Sequence, residues 1–168
     1  TQSRSSAASD VYKRQLLSQA WLTNLHRGRA EIRPEWLEQV AAEGKNGLIV
    51  LSGAHFGDVG MAIDNGNLAG AERCARRWAE LFPGHFYIEV QRADQPNMDA
   101  HVRQASVLAA KLNLPLVATH PVQFLGQEEF TAHEARTCIS EGEILANPRR
   151  IKRFNEQQRF KSQAEMAE

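Results

Sequence analysis

Gly47-Leu-Ile-Val-Leu51, closed by Ser52-Gly53, is a short continuous apolar run with turn residues behind it. Such a run is the pattern of a strand buried on both faces, the kind found in parallel sheets. Two more runs follow, Phe86-Tyr-Ile-Glu-Val90 and Pro115-Leu-Val-Ala-Thr119. Between them lie stretches with helical spacing. Asn67 is placed to cap one in which Leu68, Ala71, Cys74, Ala75, Trp78, Leu81 and Phe82 form a stripe, with Pro83-Gly84 as its stop. Met98, Val102, Ala105, Leu108, Ala109 and Leu112 define the next. Strands alternating with single helices predict right-handed βαβ units and a parallel sheet, so the fold class is α/β. Three strands do not separate a slice of a barrel from an open doubly wound sheet.

Upstream of this unit, Leu16, Leu17, Ala20, Trp21 and Leu25 recur at helical spacing, and Gly28 is placed to end that helix. Pro34 fits the first turn of a second helix, with Trp36, Leu37, Val40 and Ala41 on one face and Gly44 beyond its end. The stretch holding Gly53, Gly57, Gly60 and Gly66 reads as a loop. Downstream, a helix is predicted over 128–141, with Phe130, Ala135, Cys138 and Ile139 inward and Gly142 as C-cap. Ser162 and Glu165 form a capping box that opens a last helix. Residues 1–15 are small and polar without apolar periodicity and read as a non-native or disordered leader. Residues 16–147 then form the main domain, and 148–168 a basic connection and the start of a following helix.

A chain of 168 residues suits one core that buries roughly 70% of the unfolded surface. Twenty Lys plus Arg against twenty Asp plus Glu give no net charge, and so no global field to hold a polyanion or an anionic membrane. No apolar run approaches the roughly 20 residues of a membrane span. Cys74 and Cys138 fall on apolar helix sides without a Cys-x-x-Cys pair, which predicts reduced core thiols in a cytoplasmic protein.

Ligand groups of such folds gather beyond the strand C-termini. There the chain places His55 and Asp58, then Glu89 and Gln91 with Asp94 ending the loop, then His120, with His133 on the helix that follows. Imidazole and carboxylate from several strand ends are the ligand types of a divalent-metal hydrolase. The same side chains serve equally as loop and surface groups, since no two histidines share an element at i, i+2 or i, i+4. The Gly-rich stretch after the first strand lacks both G-x-G-x-x-G and a Walker Lys-Ser/Thr, so its glycines serve turn geometry. Arg149, Arg150, Lys152, Arg153, Arg159 and Lys161, interleaved with Phe154 and Phe160 and opposed by Glu156, form either a phosphate-contacting patch or a solvated connection.

Five strings carry a family likeness. Gly47-Leu-Ile-Val-Leu-Ser-Gly53 with Gly57-Asp58-Val-Gly60, His85-Phe-Tyr-Ile-Glu89-Val-Gln91, Leu114-Pro-Leu-Val-Ala-Thr119, Ala132-His133-Glu134-Ala-Arg136, and the closing Gln158-Arg-Phe160-Lys161-Ser162 with Glu165-Met166 stand in order. Over residues 35–168 the chain resembles the PHP (polymerase and histidinol phosphatase) domain of bacterial DNA polymerase III alpha subunits. Ala118-Thr-His120-Pro121-Val-Gln123 is most similar to the proteobacterial form. The resemblance implies a distorted, TIM-like α/β barrel of which this chain is roughly the second half, within a DNA-directed DNA polymerase whose Mg-binding carboxylates lie outside it. It implies the rest of that subunit and the epsilon proofreading subunit as protein partners, and DNA through the parent protein, with Arg149 to Lys161 as the local candidate.

Metal-binding members of that family carry Cys where this chain has Ala54, and Asp-x-His where it has Pro121 and Gln123. The resemblance therefore implies a degenerate site here: no catalytic residue, no cofactor and no metal, with a structural and exonuclease-docking role. The alternative is a metal-dependent phosphoesterase or 3′–5′ exonuclease using His55, Asp58, Glu89 and His120 as substitute ligands.

Overall fold

The computed structural model describes residues 2–42, 48–93 and 97–167, with side chains from residue 11 onward. Gly44, Gly47 and Asp94 fall outside the described residues.

The centre of the fold is a three-stranded parallel sheet in the order β3–β4–β5, formed by Val50–Leu51, Phe86–Gln91 and Leu116–Thr119. Val50 pairs with Phe86 at one edge of β4, and Ile88 to Gln91 pair with Leu116 to Thr119 at the other. This is the parallel α/β sheet that the apolar runs predict.

Phe86, Ile88 and Val90 alternate along β4 and form one core with α3 (Asp58–Asp64), α4 (Leu68–Leu81) and α5 (Met98–Leu112). Val59, Ile63, Ala71, Ala75, Phe82, Ala105, Leu108 and Ala109 fill it from the helices and their ends. Fully burying a side chain of the size of Ile88 or Phe86 contributes roughly 1.5–3 kcal/mol. Asn67 caps α4 as expected: its side-chain oxygen accepts from the Gly70 amide at 2.9 Å. The alternate β4 residues Tyr87, Glu89 and Gln91 face away from this core.

The expectation that the first strand is buried on both faces is not met. Among the described residues of the run, Val50 and Leu51 form the strand, and Ile49 is 67% exposed. Within the described residues nothing pairs with the outer edge of β3.

The loop expected after β3 contains the helix α3. Gly53 and Gly66 serve turn geometry at positive φ as expected, whereas Gly57 and Gly60 allow close packing. A Cβ at Gly60 would lie 1.7 Å from the Ala54 carbonyl oxygen, and one at Gly57 would lie 1.7 Å from that of Ser52. A short 3-10 turn, Ala54–Phe56, joins β3 to α3, with Gly53 in the left-handed region at φ +79°.

At the N-terminal side, α1 spans Gln2–Thr23. Leu16 and Ala20 are buried, while Trp21 and Leu25 are exposed. Leu25–His26 (β1) and Arg29–Ala30 (β2) form a two-residue antiparallel hairpin around Arg27 and Gly28, both at positive φ. Helix α2 spans Pro34–Ala42.

At the other end, α6 covers Phe130–Glu141 and ends at Gly142 in the left-handed region. Cys138 is buried, but Ile139, expected inward, is 83% exposed, and His133 takes the inward position instead. The chain then returns beside residues 123–125: Gln123 donates to the Gln158 carbonyl and Phe160 to that of Phe124. The short helix α7, Gln163–Ala167, follows the expected capping box, in which Ser162 N donates to Glu165 at 2.8 Å. None of the described helices is long and apolar enough to cross a membrane.

Candidate functional site

The residues singled out in the sequence fall into two groups. The first lies on the polar face of the sheet. Parallel register sets Gln91 of β4 opposite Thr119 of β5 and Glu89 opposite Val117, two residues back on the same face. Thr119 Oγ1 donates to Glu89 at 2.5 Å, and Gln91 Nε2 donates to Thr119 Oγ1 at 3.0 Å. The Glu89 amide donates to Ser52 Oγ at 2.9 Å. Glu89 is thus a buried carboxylate satisfied by its neighbours on the sheet, which is the condition under which such a group is tolerated.

The remaining substitute ligands are engaged elsewhere. Asp58 accepts from the Trp78 indole at 2.9 Å and from the Val59 amide at 2.8 Å, as an N-terminal carboxylate of α3. Burial pushes the neighbouring Cys74 thiol up, and Asp58 adds to that. His120 Nε2 donates to the Gln157 carbonyl at 2.7 Å, so that nitrogen carries its proton and has no lone pair to offer. Ala54 is buried and presents only a methyl. Pro121 offers no donor atom, and the Gln123 amide offers a neutral oxygen. Ala54, Pro121 and Gln123 thus present no imidazole, thiolate or carboxylate at these positions. Among the described residues, His55, Asp58, Glu89 and His120 do not form a group that could hold a metal ion.

A cleft beside His120, of about 350 Å³, is lined by Gln91, Arg92, Thr119, His120, Gln157, Lys161 and Glu165. Its rim is made by the closing segment, tied down where Asn155 Nδ2 donates to the Ala93 carbonyl at 2.6 Å. Arg159 pairs with Glu165 at 2.5 Å, and this contact with the Ser162 bonds holds the Glu165 carboxyl down at about 2.

The basic stretch is less cationic in space than in sequence. Arg150 forms a half-buried ion pair with Glu134, Arg153 pairs with Glu141, and Arg159 with Glu165. Phe154 packs edge-on against His133, which also stacks near Phe124. Arg136 donates to His133 Nδ1 at 2.9 Å, and among the described residues Nε2 is buried without a partner. Burial and the Arg136 charge push the His133 imidazole below its ordinary value.

The second group was half missed. His55, on the turn after β3, meets Asp64 at the end of α3, and Asp64 also meets His101 of α5. Partial burial pushes the Asp64 carboxyl up, but hydrogen bonds from His55 and His101 outweigh it and leave it below the usual range. A signal for His101 was present: it lies on the apolar stripe of α5, three residues after Met98 and four before Ala105. A histidine there is buried and needs a partner. Asp64, distant in sequence, carried no such mark.

Comparison with known proteins agrees with the strings. Residues 11–93 match the PHP domain family. The DNA polymerase III subunit alpha of Pseudomonas fluorescens is 46% identical over 154 residues, 92% of this chain and 13% of that protein. That of Neisseria meningitidis serogroup A is 46% identical over 147 residues, 86% of this chain and 12% of its own length. The Escherichia coli K12 protein is 34% identical over 153 residues, 91% of this chain and 13% of its own. The chain thus spans about 13% of the length of the curated relatives it matches. By these matches the chain belongs to the PHP domain family, in the form carried by DNA polymerase III alpha subunits.

Proposed function

We propose that this chain serves DNA replication as a structural part of a replicative DNA polymerase alpha subunit, not as a phosphoesterase in its own right. The observation that carries this reading is the state of the strand-end side chains. Glu89, Asp58 and His120 are each bound to a different protein group, and Ala54, Pro121 and Gln123 bring no imidazole, thiolate or carboxylate. A hydrolytic metal centre needs converging anionic or imidazole ligands with an open position.

The barrel belongs to the same proposal. The core helices lie on the Phe86–Ile88–Val90 face, and the opposite face, with Glu89, Gln91 and Thr119, is the one a barrel turns inward. Exposed Ile139, Ile144, Ile151 and Leu125 supply apolar surface of the kind that marks protein contacts. We assign these contacts to the rest of the alpha subunit and to the epsilon exonuclease subunit. DNA is contacted chiefly by other parts of the polymerase, because Arg150, Arg153 and Arg159 already face carboxylates.

The test uses the intact alpha subunit with and without residues 35–168, purified alongside the exonuclease subunit. Loss of thermal stability and of co-purification is the expected result. Unchanged stability and unchanged exonuclease binding would overturn the structural role.

A further inference from the structure

Three elements that are far apart in sequence deliver ligand-type atoms to one place. His55 Nδ1 lies 2.8 Å from Asp64 Oδ2, and His101 Nδ1 lies 2.8 Å from Asp64 Oδ1. One ligand atom from each residue lies within 4.8 Å of the others. The imidazole rings are 3.9 Å apart at their centroids. The backbone is shaped around this group: a Cβ at Gly60 would come within 3.1 Å of His101 Cε1, so glycine leaves room for the ring.

We propose that His55, Asp64 and His101 form a binding site for a divalent ion of the zinc class, separate from the strand-end positions of Ala54, Pro121 and Gln123. Two imidazoles and one carboxylate suit zinc, cobalt or nickel, whereas magnesium and calcium favour all-oxygen shells. Bonds to such an ion are about 2.0–2.2 Å long, which places ligand atoms about 3.4 Å apart in a tetrahedral shell. The present separations are shorter, so the carboxylate must withdraw by roughly half an ångström. Asp64 can do this, because its side chain is 38% exposed, while the His101 side chain is 1% exposed and fixed.

Binding at Nδ1 needs each neutral imidazole to carry its proton on Nε2. Among the described residues the buried Nε2 of His55 has no hydrogen-bond partner, so that nitrogen is not already committed to another group. Three protein ligands leave one coordination position open. A cavity of about 320 Å³ lined by Asn97, Ala100 and Gln104 adjoins the group and has room for water or a small ligand there. The ion would pin the residue 53–57 turn and the end of α3 to α5.

The test is titration of the 168-residue chain with Zn²⁺ alone by equilibrium dialysis, and with Co²⁺ alone by visible absorption. Expected are one equivalent of metal and a Co²⁺ spectrum of nitrogen and oxygen ligation. Because removing outer contacts alone costs 10–100-fold, Asp64→Ala and His55→Ala should each weaken binding by about 100-fold or more. Both residues are partly exposed, and circular dichroism verifies that the variants fold. His120→Ala should leave binding unchanged. No binding by the folded chain at micromolar Zn²⁺, binding that survives both substitutions, or binding lost in His120→Ala would overturn the proposal. In the first case the group is a hydrogen-bonded His–Asp–His cluster only.

Discussion

The polar face of the sheet and the α3–α5 cluster both bury a histidine or a carboxylate, yet they leave different chemistry behind. On the sheet, Glu89 accepts from the Thr119 hydroxyl, which in turn accepts from the Gln91 amide, and the hydrogen bonds close on themselves. Between the helices, one carboxylate faces two imidazoles, each with a second nitrogen to take the proton. A strand end is thus no guarantee of reactivity. What matters is whether the side chains brought there are donors that satisfy a carboxylate or bases that share it.

The largest expected effect breaks the helix cluster. Gly60→Ala drives a methyl into the Ala54 carbonyl and toward His101, and should cost about 3 kcal/mol in denaturant unfolding. Retained stability would mean that the turn moves freely, and the two regions would not differ in rigidity. Next is Glu89→Ala, which removes a buried acceptor and leaves Thr119 Oγ1 without its carboxylate. A loss of about 1–3 kcal/mol is expected by the same measurement. Asn67→Ala removes the cap of α4, which packs on α3, and should cost about 1 kcal/mol.

The remaining effects are pH-dependent. His133 is a buried imidazole without a carboxylate, in contrast with His101. Its folded value lies below its ordinary 6.5, so below that pH the unfolded chain binds more protons than the folded one. Stability should be full above pH 6.5 and decline as the pH falls through the folded value, and His133→Phe should flatten that decline. Asp64, also depressed, contributes above its ordinary 3.8 and loses that contribution at lower pH. Asp64→Asn should remove this last and smallest component from an acid titration. An acid profile unchanged by both substitutions would erase the distinction between the two histidines.

Much of the helix-covered face was legible because each signal was local. The Asn67 cap, the Ala71–Ala75–Phe82 stripe and the Gly142 stop all depend on residues within a few positions. The hydrogen bond between Thr119 and Glu89 was not, since it depends on how the sheet registers β4 against β5. Helix α3 was hidden because its glycines answer to the Ser52 and Ala54 carbonyls across the turn. The β1–β2 hairpin was hidden because two-residue strands are too short to show alternation. Ile139 points outward although its spacing fits the stripe, because His133 and Cys138 define the buried side of α6. Of the helix cluster, His55 was singled out by its strand-end place. His101 needed the question of why an apolar stripe holds an imidazole, and Asp64 needed the fold itself.

The central claim is that the strand ends of this domain are structural and not hydrolytic. The most direct measurement is phosphate and nucleotide release by the intact alpha subunit, purified free of exonuclease partners, with Mn²⁺ or Zn²⁺ supplied. The account predicts release no higher than in a Glu89→Gln, His120→Ala double variant. Release well above that variant would contradict it.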